Sequence, residues 1–440
     1  MNKIYISTLG CAKNLVDSEM MLGTLLNKNY EQSHDIIDAD IAIVNTCGFI
    51  EAAKEESINE ILDLAQYKTK GKLKHLIVTG CLAQRYSQEL ISEIPEIDIV
   101  LGTTSFDMIL EKVEELKKGI KHSLITDIDK HIKEEIPRSL LTDTYTAYLK
   151  IAEGCDNHCT YCIIPKLRGK YRSRKQEDVV KEAIQLAKNG VKELIIIAQD
   201  TTKYGLDLYG RKTISDLMRE LNKIEELKWI RILYSYPEDV DQDFVKAVKE
   251  CDKVLPYFDI PIQHANDKIL KLMNRQTNKA QIKANIDRIR SEIPKASIRT
   301  SIIVGFPTET EEQFQELCEF VQDVKFDRLG VFAYSQEEDT PAALLDGQID
   351  EEIKQERKNR LMEVQQHISS EKNKTFVGSI MEAIIECKAD EGVYEGRTYR
   401  DMMEIDGLVF IHTDKELKKG QFVNVKITDS LEYDLIGELK

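Results

Sequence analysis

The feature that most constrains this chain is a long alternation of short apolar, β-branched runs with helical segments. From residue 3 to about 125 the runs KIYIST, IAIVNT, HLIVTG and IDIVLG each precede a helical pattern, starting near Ser18, Ile50, Ala83 and Thr104. Strands separated by helices pair in parallel, because the crossover returns the chain to the same end of the sheet, so an open parallel α/β domain is expected. A second alternation uses YLKIAE, ELIIIAQ, WIRILYS, YFDIPIQ, SIRTSIIVG and RLGVFAYS as strands and ends in a helix over about 350–373. Six βα units fall short of a closed eightfold barrel. They predict an incomplete (β/α)6 barrel whose working face lies at the carboxyl ends of its strands. The remainder, 375–440, breaks into short strands such as SIMEAIIEC, GLVFIHT and FVNVKIT between Gly and Asp turns, the pattern of a small antiparallel β-barrel. The units are drawn at 1–125, 141–374 and 375–440, with a charged, proline-containing linker over 126–140.

Charge and cysteine use narrow the function classes. The 61 basic and 77 acidic residues leave a net charge of −16, which suits a basic partner or a small ligand better than nonspecific binding to phosphate backbones. No apolar run reaches the length of a membrane helix, and MNKIYISTLGCAKN has too short an apolar stretch for a secretory leader, so a cytoplasmic protein without membrane partners is expected. Nine cysteines in 440 residues are too few for a disulfide scaffold. In a reducing compartment their spacing points to metal binding or catalysis.

Six of the nine fall into two sets. Residues 154–162 read GCDNHCTYC and place Cys155, Cys159 and Cys162 in a C-x3-C-x2-C array after the first strand of the barrel block. Three such thiolates can hold three irons of a 4Fe-4S cluster and leave the fourth iron open to a ligand. Zinc is the alternative, with His158 as the nearest fourth donor in a crowded loop. Cys11, Cys47 and Cys81 are far apart in sequence, yet each directly follows a predicted strand and has a glycine neighbour: Gly10, Gly48 and Gly80. Loops at corresponding strand ends of an open α/β sheet meet at one crevice, so these three can converge on a second cluster, with glycine admitting close backbone approach. Cys251, Cys318 and Cys387 follow no such rule and read as packing residues, and Asn266 reads as a helix cap.

At GCDNHCTYC the chain resembles the radical S-adenosylmethionine (SAM) enzymes. With the upstream three-cysteine domain and the terminal barrel, which is TRAM-like, it resembles the methylthiotransferases along essentially its whole length. The runs TLGCAKNLVDSE (Thr8 to Glu19) and LPYFDIPIQHANDKILKLMNR (Leu255 to Arg275) are similar to the branch that modifies a ribosomal protein, and Ala12 stands where that branch often has proline. The tRNA-modifying branches instead tend to show GCQMN-like and PVQSGS-like runs. The resemblance implies two 4Fe-4S clusters and SAM as cofactors, an aspartate β-carbon of the twelfth small-subunit ribosomal protein as the methylthio acceptor, and a flavodoxin or ferredoxin as electron donor. It implies SAM chelated at the Cys155/Cys159/Cys162 cluster and sulfur presented at the Cys11/Cys47/Cys81 cluster.

Candidate SAM contacts follow from barrel strand ends: Gln199 and Asp200, Gln263 and His264, then Gly305, Phe306 and Pro307. Arg168, Arg172 and Arg174 follow the cluster loop and could meet a carboxylate of SAM or substrate, or form a solvated basic loop. A tRNA adenosine methylthiotransferase is the rival reading, and a noncatalytic iron-sulfur scaffold is a third. The terminal barrel carries 8 basic and 14 acidic residues, among them Glu382, Glu386, Glu395 and Glu404, which disfavours nucleic acid as the main substrate and favours a basic protein.

Overall fold

The computed structural model describes residues 2–121, 123–132 and 136–440. The N-terminal unit is a parallel sheet of β1 (Lys3–Thr8), β2 (Glu31–Gln32), β3 (Ile41–Thr46), β4 (His75–Gly80) and β5 (Ile99–Leu101), in the order β2-β1-β3-β4-β5. Strand β3 is buried throughout because both faces of the sheet are covered. Ile41 and Ile43 pack with Ile4, Val16 and Ile77, whereas Ala42 and Val44 pack with Ile61, Leu76 and Val78. The period-two alternation thus divides one apolar run between two cores.

The first helix spans Ala12–Leu26 and begins earlier than the expected Ser18, with Cys11 as its N-cap. Asn14, Asp17 and Glu19 on this helix are polar, yet all three are buried. Their partners lie in other parts of the chain: Arg138 donates to Glu19 at 2.8 Å, and Arg168 to Asp17 at 2.9 Å.

The central unit carries β6 (Thr146–Lys150), β7 (Ala152–Glu153), β8 (Arg172–Ser173), β9 (Glu193–Ile197), β10 (Trp229–Ile232), β11 (Tyr257–Asp259), β12 (Ser297–Val304) and β13 (Arg328–Ala333). Strands β6, β9 and β10 form one parallel sheet and β11, β12 and β13 another, joined by a parallel bridge from Ile230 to Val254. The arc therefore follows chain order, as an open βα barrel requires. The antiparallel pair β7 and β8 closes a loop from Gly154 to Tyr171 at the carboxyl end of β6.

The C-terminal unit is a closed barrel of β14 (Ile380–Asp390), β15 (Val393–Thr398), β16 (Val409–His412), β17 (Phe422–Ser430) and β18 (Leu435–Leu439), ordered β14-β15-β16-β18-β17. One pairing differs from the expected antiparallel pattern, since β16 and β18 run parallel. The barrel docks on the amino ends of the central strands. Tyr145, just before β6, donates to Glu386 at 2.7 Å; Glu193 at the start of β9 accepts from Arg397 at 2.5 Å; Trp229 at the start of β10 meets Phe422 edge-on at 4.9 Å. The N-terminal unit lies across the opposite, carboxyl ends. Lys13 sits over the Tyr234 ring at 3.5 Å, and Lys54 pairs with Glu337 beyond β13 at 3.2 Å.

The expected linker is strapped down in its described part. Lys130 pairs with Asp107, and Arg138 bridges Glu19 to Glu182, each at 2.8 Å. Residues 133–135 lie outside the described residues. Among the described residues no helix is long and apolar enough to cross a membrane.

Candidate active site

The three N-terminal cysteines sit at the ends of β1, β3 and β4, which are neighbours in the sheet, so sheet order brings their loops side by side. Glycine lets those loops touch. A Cβ on Gly10, whose φ is +87°, would lie 2.9 Å from Cys47 Sγ, and one on Gly48 would lie 2.9 Å from the Leu82 amide nitrogen, next to Cys81. The glycines thus admit loop against loop rather than only backbone against a ligand. Asn14 ties two of the loops by donating to the carbonyls of Leu9 (2.8 Å) and Thr46 (3.0 Å), and Ser57 donates to the Cys47 carbonyl at 3.0 Å. Burial pushes the Cys47 thiol up to about 11, with Cys81 and Cys11 adding to the shift. Metal binding there must displace protons. Cys11 stands at the N-cap of the first helix without a side-chain hydrogen bond to it, and Cys81 begins the short helix Cys81–Arg85.

Cys155, Cys159 and Cys162 lie in the loop closed by β7 and β8. Gly154, at φ +76°, passes so near the Lys170 carbonyl that a Cβ would sit 2.0 Å from it. The loop is held from outside by Thr160 donating to Leu272 O at 2.8 Å, by Asn274 donating to His158 O at 2.8 Å and by Asn157 donating to Asp200 at 2.8 Å. Burial pushes Cys155 up to about 11 and Cys162 up to about 12. Arg275 stacks on Tyr236 at 4.3 Å and reaches within 3.9 Å of Cys159 Sγ. His158, the fourth donor weighed for zinc, is exposed. Among the described residues no group of three or more His, Cys, Asp and Glu side chains closes around a single ion. Three thiolates with His158 exposed leave the fourth corner of the Cys155 set without a protein donor, which suits a four-iron cluster with an open iron and not a closed structural zinc site.

The strand-end candidates divide. Gln199 donates to Glu153 at 3.0 Å and keeps a buried Oε1 without a protein partner, as a ligand-facing group does. Gln263 is half-buried in a left-handed conformation, φ +69°, beside β12. His264 turns inward instead: it is fully buried, its Nδ1 accepts the Asn266 amide at 2.9 Å and its Nε2 lies 3.4 Å from Glu309. Gly305 donates its amide to Glu309, and its missing Cβ makes room for Lys354. Phe306 packs edge-on to Tyr334 at 5.3 Å, and Asp200 accepts from Thr202 at 2.5 Å, so both shape the loops. Asn266 caps the helix Asp267–Leu272.

The three arginines do not form a solvated basic loop. Arg174 pairs with Glu182 at 2.6 Å, Arg172 with Asp129 at 3.2 Å, and Arg168 is buried between the two cysteine sets. Cys251 and Cys318 are buried as packing residues, but Cys387 is exposed, because the register shift between Ile385 and Cys387 breaks the strand alternation. Its thiol donates to Glu395 at 3.3 Å.

Comparison with known proteins fits this arrangement. Residues 3–102 match the uncharacterized protein family UPF0004, residues 149–321 the radical SAM superfamily and residues 377–439 the TRAM domain. The chain is 55% identical to the ribosomal protein uS12 methylthiotransferase RimO of Clostridioides difficile, covering 100% of this chain and 99% of that protein. It is 51% identical to the protein of the same name from Lachnoclostridium phytofermentans, with 99% of each covered. The chain belongs to this methylthiotransferase family. Among solved structures, the radical SAM methyltransferase TsrM of Kitasatospora setae superposes with a TM-score of 0.57 at 11% identity, over 90% of this chain and 77% of that one, which shows a shared fold. For a radical SAM methylthiotransferase the residues that sequence reasoning left unassigned are Asn14, Asp17, Lys150, Glu153, Tyr236 and Arg275. Asn14 and Asp17 lie inside the Thr8 to Glu19 run and Arg275 ends the Leu255 to Arg275 run, so these three carried a signal, whereas Lys150, Glu153 and Tyr236 carried none.

Proposed function

We propose that the chain replaces a hydrogen on the β-carbon of an aspartate in ribosomal protein uS12 with a methylthio group, using SAM, in the cytoplasm. The observation that carries this reading is placement: the N-terminal unit lays its three cysteine loops over the same carboxyl-end face of the barrel from which the Cys155 loop rises. Cys155, Cys159 and Cys162 would hold one 4Fe-4S cluster and Cys11, Cys47 and Cys81 a second. When bound, such clusters supply SAM chelation at an open iron, the electron for its reductive cleavage and a sulfur acceptor for the methyl group. The chain's own part is to fix geometry and exclude water. Asn157, Thr160 and Asn274 hold the Cys155 loop, Gln199 and Gln263 line the strand ends where SAM would lie, and Asn14 holds the loops of the sulfur-bearing set. A flavodoxin or ferredoxin would deliver the electron. The acidic terminal barrel supports a basic protein partner over tRNA. Burial removes Arg397 and Arg400 but also Asp401 and the side chain of Asp406, so the acidic excess stays on its surface.

The test is anaerobic reconstitution of two triple variants. Changing Cys155, Cys159 and Cys162 to Ala should leave about four irons per chain and no 5′-deoxyadenosine. Changing Cys11, Cys47 and Cys81 should preserve 5′-deoxyadenosine formation and abolish the mass increase of uS12. Methylthiolated uS12 from the second variant, or modified tRNA from the parent enzyme, would overturn the reading.

A further inference from the structure

One side chain of the barrel's cysteine loop reaches into the other cysteine set. Arg168 ends the short helix Ile164–Arg168, which starts two residues after Cys162. Its side chain is only 2% exposed. Nη2 donates to Asn14 Oδ1, and the Asn14 amide in turn holds the Leu9 and Thr46 carbonyls that precede Cys11 and Cys47. Nη1 donates to Asp17 at 2.9 Å and to Glu153 at 3.2 Å. Glu153 lies two residues before Cys155 and also binds Lys150 at 2.8 Å. The third N-terminal cysteine closes the arrangement: Cys81 packs against Ile163 and Leu167 of the same segment, where burial pushes its thiol up and the Arg168 charge opposes that push. Thr103 adds a bond to the Leu167 carbonyl at 2.8 Å.

We propose that Arg168 is a positioning residue for the N-terminal cysteine centre: its guanidinium locks the Cys11, Cys47 and Cys81 loops onto the loop of the other centre and neutralises charge on the thiolates. The proposal rests on the reading that each cysteine set holds a cluster. Cys81 is buried, Cys47 half-buried and Cys11 exposed, so part of the thiolate charge lies out of water beside Arg168, and a guanidinium is the side chain that keeps its proton when buried. Its planar fork can also serve Asn14 on one nitrogen and Asp17 and Glu153 on the other, which an ammonium cannot do in the same geometry. A positive charge beside a cluster favours its reduced form, so losing that charge shifts the reduction potential to more negative values.

The experiment uses the full chain, reconstituted anaerobically in the background with Cys155, Cys159 and Cys162 changed to Ala, so that only the N-terminal centre is observed. Iron content, the electron paramagnetic resonance spectrum and the reduction potential are measured for that parent and for Arg168→Gln, Arg168→Lys and Asp17→Asn. Arg168→Gln should shift the potential negative, and Arg168→Lys should restore most of that shift but retain an altered spectrum. Asp17→Asn breaks the same interdomain ion pair but leaves the cation, and should produce no negative shift. An unchanged potential and spectrum in Arg168→Gln, or an equal negative shift in Asp17→Asn, would show a purely structural ion pair and overturn the proposal. Should Arg168→Gln not fold, the Arg168→Lys spectrum decides, and one identical to the parent's overturns it. A parent that binds no iron would instead overturn the cluster reading itself.

Discussion

Changing Gly10 to Ala probes the contact that lets the cysteine loops converge. The added methyl would sit 2.7 Å from Cys47 Cβ and 2.9 Å from its Sγ, on a backbone whose φ is +87°. The left-handed conformation costs an L-residue roughly 1–2 kcal/mol. Forcing a methyl into a filled space adds about 1–3 kcal/mol. The sum, about 2–5 kcal/mol, corresponds to a fall in melting temperature of about 2–5 °C when all 440 residues unfold together. Relief comes most cheaply by pushing Cys47 away from Cys11, which damages the donor set as well as the fold. The assay is iron content and thermal unfolding in the background lacking Cys155, Cys159 and Cys162. Gly119→Ala is the control, because Gly119 shares the positive φ, +80°, but has nothing within 4 Å of the added methyl. Gly10→Ala should lose most of the remaining iron, and Gly119→Ala should keep it. Equal iron and equal melting temperatures in the two variants would refute the argument that loop-to-loop contact assembles this centre.

Four further outcomes follow from the same structure. Asn14→Ala leaves the buried Thr46 carbonyl without this donor, at about 1–3 kcal/mol, and the half-buried Leu9 carbonyl at less, and should lower iron retention at the N-terminal centre while sparing the other. Burial opposes the charge on Glu193, but Arg397 and Arg231 outweigh it and hold its carboxyl at about 2, against an ordinary 4.5. The resulting stability, about 3 kcal/mol, is fully present above the ordinary value and lost as pH falls toward 2; acid unfolding followed by circular dichroism should show that slope, and Glu193→Gln should lack it. Reversing the exposed Glu391, Glu404 and Glu416 to Lys should slow association with uS12 at low salt, an effect that shrinks as salt rises, measured by stopped-flow binding. Glu386→Lys should instead unfold the barrel junction, because Glu386 accepts from Tyr145 at 2.7 Å and Arg397 at 2.6 Å.

What the sequence made legible is what short-range pattern encodes. Alternating runs identify β1, β3 and β4 as buried parallel strands, and a cysteine directly after each is enough to place three thiols at one sheet end, because those strands are neighbours. The array after β6 is legible for the same reason, all its donors lying within eight residues. What escaped were interactions whose two halves are remote. Asn14 and Asp17 meet Arg168 across separations of 154 and 151 residues, and Glu19 meets Arg138 across 119. Nothing in the local pattern marks these polar residues as buried, and in the fold they are the buried faces by which two units grip each other. His264 shows the same limit at short range, since the positive φ of Gln263 turns its neighbour into the core and no composition rule reports that turn.

That division bears on how such a chain can work. Cysteines at strand ends specify that two metal-binding loops exist, but a group formed at one must meet a group held at the other, and only the packing of the two units sets that distance. In this molecule the packing is polar as well as apolar: Lys150, Asp17, Arg168 and Glu153 form a closed network in which every buried charge has an opposite partner. Burial of charge makes the network intolerant of misplacement, since removing one partner strands another in a dry site at a cost of about 3–5 kcal/mol. Apolar surfaces can slide over one another with little change in energy, whereas a closed set of buried ion pairs has one low-energy register. The polar interface between these units therefore adds to the apolar contact of Cys81 with Ile163 and Leu167 a strong penalty on moving one cysteine loop against the other.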